Sequence, residues 1–262
     1  MKGSKKMRVA IFDSGTGGLS IFSRFIETFP WVDTTYLGDA LNFPYGTKDT
    51  KQLLRIIERI IAFFKSENYD YVLIACNTAS IIYERYLKNR YDQFVFDVIQ
   101  STALEACSLS FNNRIGVIGT EYTIKSCIYE ETIKRINPCC DVLSLECSDL
   151  VGMCEQTDQN EQIDAYIKNR FSIFKKEEID TFILGCTHYN VLYHKLNQYF
   201  NYRVNIISSG YALVSTMRFN HDEQNKKGHY QIYTTGDKCD FKSKKDGLHA
   251  NLEQIKVNFL NL

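Results

Sequence analysis

The sequence has no apolar run near the roughly 18 residues that would mark a membrane span. It has no charge excess either: 31 Lys and Arg balance 31 Asp and Glu. That balance gives no support to a nucleic-acid or membrane-surface binder. The short basic stretches Lys2–Lys6 and Lys242–Lys245 read as a frayed terminus and a solvated loop. No h-region precedes a small-residue cleavage site; Val9–Phe12 is too short and ends at Asp13. The expectation is a cytoplasmic protein whose nine cysteines are thiols, not a disulfide framework. No CxxC pair occurs, so no metal site is expected. A P-loop lysine and a GxGxxG spacing are missing as well.

What remains is a chain of 262 residues, 44% hydrophobic, long enough for one large or two modest domains. Short apolar runs alternate with helical patterns. Met7–Phe12 reads as a strand, followed by the turn Asp13–Gly18 and a helix from about Leu19. Thr34–Leu37 reads as a second strand. From Thr50 to Lys65, apolar side chains at Leu53, Leu54, Ile57, Ile60, Ile61 and Phe64 have helical spacing. Tyr71–Ala75 is an apolar strand running into Cys76. Continuous apolar strands between helices point to a parallel sheet covered on both faces.

The second half repeats this plan. Arg114–Ile118 resembles Arg8–Phe12, and Ile179–His188 resembles Tyr69–Thr78, with an Asp six residues before a cysteine in each case. The separation is 68 residues from Arg8 to Cys76 and 72 from Arg114 to Cys186. Matches in the same order at similar spacing indicate duplication. The expected fold is two pseudo-symmetric α/β domains with mostly parallel sheets and the active site in the cleft between them. The dividing lines are drawn as 1–100 plus 206–262 for the first domain and 101–205 for the second. Asn220–Lys227 reads as a loop, and Tyr230–Thr234 as a strand returning to the first domain.

Ligands of open α/β sheets bind at the carboxyl ends of strands. Cys76 and Cys186 both lie just past such ends, so the two thiols would flank one cleft. Cys107, Cys127 and Cys239 read instead as small buried hydrophobes. Two acid/base groups on opposite faces are what a racemase needs to remove a Cα proton and return one, when no pyridoxal phosphate acts as electron sink. A thiol suits the task because neighbours can tune it. His188, two residues from Cys186, is a candidate proton handler. His194, His221, His229 and His249 read as surface residues. Asp13 and Ser14 head a backbone-rich loop. Asp13 would either accept from a substrate ammonium or orient Cys76.

The motifs DSGTGGLS (Asp13–Ser20), GDALNFPYG (Gly38–Gly46), ACNTAS (Ala75–Ser80), GVIGT (Gly116–Thr120) and GCTHY (Gly185–Tyr189) resemble, in order and spacing, the glutamate racemase family of bacteria. The resemblance runs from about residue 7 to Thr234–Asp237. It implies racemisation of glutamate without a cofactor, supplying D-glutamate for peptidoglycan. It further implies that Cys76 deprotonates D-glutamate and Cys186 L-glutamate, with Asp13 and His188 assisting. Substrate-binding positions carried over are Ser14, Asp39, Pro44, Tyr45, Gly46, Asn77, Thr78, Thr120, Thr123, Glu155 and Thr187. The sequence departs from the family pattern at Asn42, where Arg is usual, at Gln100-Ser101-Thr102 for Glu-Pro-Gly, and at Ser208-Ser209-Gly210 for Asp-Ser-Gly. Competing readings are a racemase for aspartate or several amino acids, a catalytically silent amino-acid-binding homologue, and a thiol hydrolase using Cys186 and His188. The small-molecule substrate is the expected partner. The many tyrosines and phenylalanines permit a homodimer without establishing one.

Overall fold

A computed structural model describes residues 6–156, 160–219 and 227–262. In chain order its strands are β1 (Arg8–Asp13), β2 (Asp33–Gly38), β3 (Tyr71–Ile74), β4 (Val95–Asp97), β5 (Arg114–Gly119), β6 (Asp141–Glu146), β7 (Thr181–Gly185), β8 (Asn205–Ser208), β9 (Tyr230–Thr234) and β10 (Val257–Phe259). They form a six-stranded sheet, β10-β9-β2-β1-β3-β4, and a four-stranded sheet, β6-β5-β7-β8. Every pairing is parallel. The orders β2-β1-β3-β4 and β6-β5-β7-β8 are the same arrangement twice, the structural form of the repeat seen in the sequence.

The repeated aspartates show why the motif recurs. Asp70 accepts from the backbone N–H of Arg8 at 2.8 Å and thereby pins the start of β1. Asp180 accepts from the N–H groups of Phe111 and Asn112 at 2.8 and 2.6 Å and fixes the chain entering β5. The strands then run in register, Asp13 beside Gly38 and Gly119 beside Gly185. Their carboxyl ends, and the loops that follow, share one edge of each sheet.

Burial follows the apolar pattern. All five residues of β7 are buried, as a strand covered on both faces requires. The helix Thr50–Ser66 opens with a capping box: Gln52 N–H donates to Asp49 at 2.8 Å, and Gln52 Oε1 accepts from Asp49 N–H. Its face Leu53, Ile57, Ile60, Ile61 and Phe64 is buried. Each such side chain contributes roughly 1.5–3 kcal/mol. Leu54 lies at the margin, half-buried.

One apolar core joins the two sheets. Val9 and Ile11 of β1 share it with Ile115, Val117, Ile183 and Ile207 of the second sheet. The helices Val98–Leu109 and Ser209–Thr216, packed on each other, form the seam. The dividing points drawn from the sequence both fall inside secondary-structure elements. Position 100/101 is within the first of these helices, and 205/206 is within β8, which pairs with β7. The tail returns to the first sheet, where β9 pairs with β2.

Several readings of single residues need correction. Cys127 and Cys239 are exposed and Cys107 is half-buried. Each lies on or beside an amphipathic helix, where one residue type does not reveal which face it occupies. His249 is half-buried, and its imidazole is pushed down to about 4 by burial, with the charges of His188 and Lys245 adding to the effect. Lys242–Lys245 is not a loop but part of the helix Lys238–Leu248. Lys245 is fully buried there and donates to the carbonyls of Leu252 and Ile255 at 2.9 and 3.2 Å. Lys2–Lys5, His221 and the loop expected over 220–227, except its last residue, lie outside the described residues. Among the described residues no helix is long and apolar enough to cross a membrane.

Candidate active site

Four strand ends build the site. β1 delivers Asp13 and Ser14, β3 delivers Cys76, β5 leads to Thr120, and β7 delivers Cys186, Thr187 and His188. The loop after β1 is packed against the loop after β7. A Cβ on Gly17 would stand 2.5 Å from Thr187 Oγ1 and 2.9 Å from His188 Nδ1. A Cβ on Gly18 would stand 2.7 Å from the Cβ of Asp13. These glycines are needed for close approach rather than for left-handed backbone.

The strand ends enclose a cavity of about 320 Å³. Its lining contains Cys76 and Cys186, with Ser14, Pro44, Tyr45, Gly46, Asn77, Thr78, Thr120, Glu155, Thr187 and His188. Both thiols are almost closed off, 6% and 9% exposed. Phe43, Thr47, Glu121, Ser148, Val151, Gly152 and Gly185 also line it and were not read from the sequence. Phe43 and Gly185 lie inside recognised motifs, and Thr47 and Glu121 directly follow two of them. Ser148, Val151 and Gly152 follow β6, a strand that carries no motif.

The two sulfurs have unlike neighbours. Cys76 Sγ lies 3.8 Å from Ser14 Oγ. Burial, then the nearby charge of Asp13, pushes its thiol well above the ordinary range, against help from the Ala79 N–H and Ser14. Cys186 Sγ lies 3.8 Å from His188 Nδ1. His188 Nε2 in turn lies 3.1 Å from Glu155 Oε1. Burial works to lower the His188 imidazole. Its hydrogen bonds to Cys186 and Glu155, with the charges of Cys186 and Asp13, outweigh burial and raise it to about 10. Burial works to raise Glu155, but His188 and Lys244 hold it below the usual carboxylate value. The two sulfurs thus sit in unlike settings: Cys76 beside a hydroxyl and near the buried Asp13, Cys186 beside an imidazole that is itself held by Glu155.

Three expected site residues stand behind the lining. Asp13 is fully buried and accepts from Gly18 N–H at 2.9 Å and from Thr187 Oγ1 at 3.3 Å. Its Oδ1 has no hydrogen-bond partner among the described residues. Asp39 accepts from Tyr45 Oη at 2.6 Å, from Thr235 Oγ1 at 2.6 Å and from Asn42 Nδ2 at 2.9 Å. Those contacts occupy both of its oxygens and fix the loop that carries Pro44–Gly46. Thr123 supports Thr120 at 3.1 Å, and Thr120 meets Thr78 at 3.4 Å. Of the departures in sequence, Asn42 and Thr102 find partners, whereas the Ser208 hydroxyl is buried with no hydrogen-bond partner among the described residues. Asn42 holds Asp39. Thr102 Oγ1 donates to the Ser209 carbonyl at 3.2 Å, and Ser209 Oγ accepts from Asn77 Nδ2 at 3.1 Å.

Both the chain and its fold resemble known proteins. Residues 31–217 match the Asp/Glu/Hydantoin racemase family. A glutamate racemase of Sulfurihydrogenibium sp. is 34% identical over 261 residues, covering 98% of this chain and 99% of the relative. The crystal structure of a glutamate racemase isoform from Bacillus anthracis superposes with a TM-score of 0.89 at 27% identity, covering 98% of each chain. That of the Francisella tularensis glutamate racemase in complex with D-glutamate gives 0.85 at 25% identity, again with 98% of each chain. Fold and likeness together define an isomerase of the amino-acid racemase class. The chain belongs to the Asp/Glu/Hydantoin racemase family.

Proposed function

We propose that this protein interconverts L- and D-glutamate without a cofactor, using Cys76 and Cys186 as its two acid/base groups, and so supplies D-glutamate for peptidoglycan. One observation carries the reading: two nearly closed-off thiols, delivered by equivalent strands of a duplicated fold, line the same cavity. In one direction the Cys186 thiolate removes the Cα proton of L-glutamate and the Cys76 thiol delivers a proton to the opposite face. In the other direction the roles exchange. After a turnover the proton has moved from one sulfur to the other, so the free enzyme must return to its starting protonation state.

His188 and Glu155 serve the Cys186 side, and Asp13 and Ser14 the Cys76 side. Asn77, Thr78, Thr120 and Thr187 supply donors to the carboxylate on which charge grows as the Cα proton leaves. The glutamate relatives, one of them in complex with D-glutamate, support the substrate.

The test is proton NMR of the reduced protein in D2O with each enantiomer of glutamate, then aspartate. Loss of the Cα signal with appearance of the other glutamate enantiomer is the expected result. Exchange with aspartate alone keeps the two-thiol chemistry and overturns the substrate. No exchange with either overturns the catalytic reading.

A further inference from the structure

The hydrogen-bonded row that begins at Cys186 does not end at Glu155. Glu155 Oε1 faces His188, and its other oxygen, Oε2, lies 3.2 Å from Lys244 Nζ. Lys244 comes from the helix Lys238–Leu248, which packs against β10 of the first sheet. The same ammonium lies 3.3 Å from Asp240 Oδ2, one turn earlier. The row Cys186, His188, Glu155, Lys244, Asp240 thus alternates in sign when the sulfur is a thiolate and the imidazole is protonated. It spans from the end of β7 to the returning C-terminal segment. The neighbouring Lys245 points elsewhere and anchors that helix through the carbonyls of Leu252 and Ile255.

We propose that Lys244 is a positioning residue for the Cys186 side of the reaction: it holds one oxygen of Glu155 so that the other stays on His188. The inference rests on the two-thiol reading above. A carboxylate held at one oxygen alone can rotate about its terminal torsion, which is soft. With both oxygens held, the acceptor presented to His188 Nε2 is fixed, and so is the ring that faces the sulfur with Nδ1. Lys244 also keeps Glu155 ionised. Other charged or titratable groups face this row: Cys154 on the helix before Glu155, Asp13 from β1, and His249 and Lys245 from the C-terminal segment. Among the described residues, the cations in contact with the carboxylate are the His188 imidazole on one oxygen and Lys244 on the other.

The test uses the full reduced chain and an activity-independent readout. Rates of alkylation of Cys186 and Cys76 by iodoacetamide near neutral pH are followed by peptide-resolved mass spectrometry. The proteins are the wild type, Lys244→Met, Lys244→Arg and Lys242→Met. Lys244→Met slows Cys186 roughly threefold, the modest scale on which a partly exposed ion pair can act. Cys76, on the Ser14 and Asp13 side, keeps its rate. Lys244→Arg restores the Cys186 rate, and Lys242→Met leaves it unchanged.

An unchanged Cys186 rate in Lys244→Met overturns the proposal. So does equal slowing in Lys242→Met, which would reduce the effect to net charge. Failure of Lys244→Arg to restore the rate, or slowing at Cys76 as well, overturns it too. In parallel, kcat/KM for glutamate falls by the same factor in both directions, because enantiomers have equal free energy. If the wild type does not racemise glutamate, the substrate reading fails, and the alkylation series still decides the role of Lys244.

Discussion

Replacing His188 by Asn should change how stability responds to pH. His188 is 4% exposed and is raised to about 10 from its ordinary 6.5 by its partners Cys186 and Glu155. The folded protein therefore binds a proton that the unfolded chain releases between these values. Stability rises with pH only where the unfolded state binds more protons, so here it must fall. The contribution of the charged imidazole is complete below pH 6.5 and is lost as pH climbs to about 10. Linkage puts the loss at roughly 2.5 kcal/mol between about pH 7 and 9. Groups that do not touch His188 titrate alike in wild type and variant. The difference between the two proteins therefore reports His188 together with the partners that raise it, Cys186 and Glu155. Urea unfolding at several pH values measures it. With a slope of roughly 2–3 kcal/mol per molar, the wild-type midpoint should drop by about 1 M more than that of the His188→Asn variant. Parallel midpoints across this range would refute a protonated, partnered His188.

Cys76→Ala and Cys186→Ala should each abolish racemisation in both directions, since every turnover needs a base on one face and an acid on the other; full activity in either, by polarimetry, would defeat the two-base scheme. Gly17→Ala places a methyl 2.5 Å from Thr187 Oγ1 and 2.9 Å from His188 Nδ1. Overpacking of this kind costs roughly 1–3 kcal/mol, and relief by moving the imidazole off Cys186 should cut kcat/KM tenfold or more. Wild-type activity in that variant would show that the loop yields without disturbing His188. Asp13→Asn removes the anion that, after burial, most raises the Cys76 thiol. The Cys76 thiol should then ionise at lower pH and alkylate several-fold faster under mildly alkaline conditions, because thiolate population grows about tenfold per pH unit gained in acidity. An unchanged rate would mean that burial alone sets its acidity.

Much of the design is legible in local patterns. Apolar runs such as Tyr71–Ile74 and Thr181–Gly185 declare buried strands because a strand covered on both faces leaves no polar alternation. The duplicated Asp-strand-Cys pattern announced two equivalent sulfurs because each Asp has the same local task, holding the entry of a central strand. Strand ends are where α/β folds place ligands, so Cys76 and Cys186 stood out by position and repetition, and His188 by its place two residues from Cys186. Weaker strands escaped notice. Residues 142–146 of β6 are only half-buried, and with that strand went Ser148, Val151 and Gly152.

Tertiary structure decided which motif residues touch the cavity. Asp39 and Asp13 occur in the motifs as surely as Ser14 does. Only the folded chain shows Asp39 surrounded by Tyr45, Thr235 and Asn42, and Asp13 bound to Gly18 and Thr187. It also decided the fate of two adjacent lysines. Lys244 and Lys245 are alike in sequence, yet one reaches Glu155 and the other is buried among carbonyls. Neighbours on a helix are rotated by about 100° from each other, so they meet different partners. Periodicity and strand-end position are properties of a short segment, and the sequence determines them alone. Contacts between segments more than a hundred residues apart depend on how the two sheets and the returning tail pack. Only the assembled core sets that.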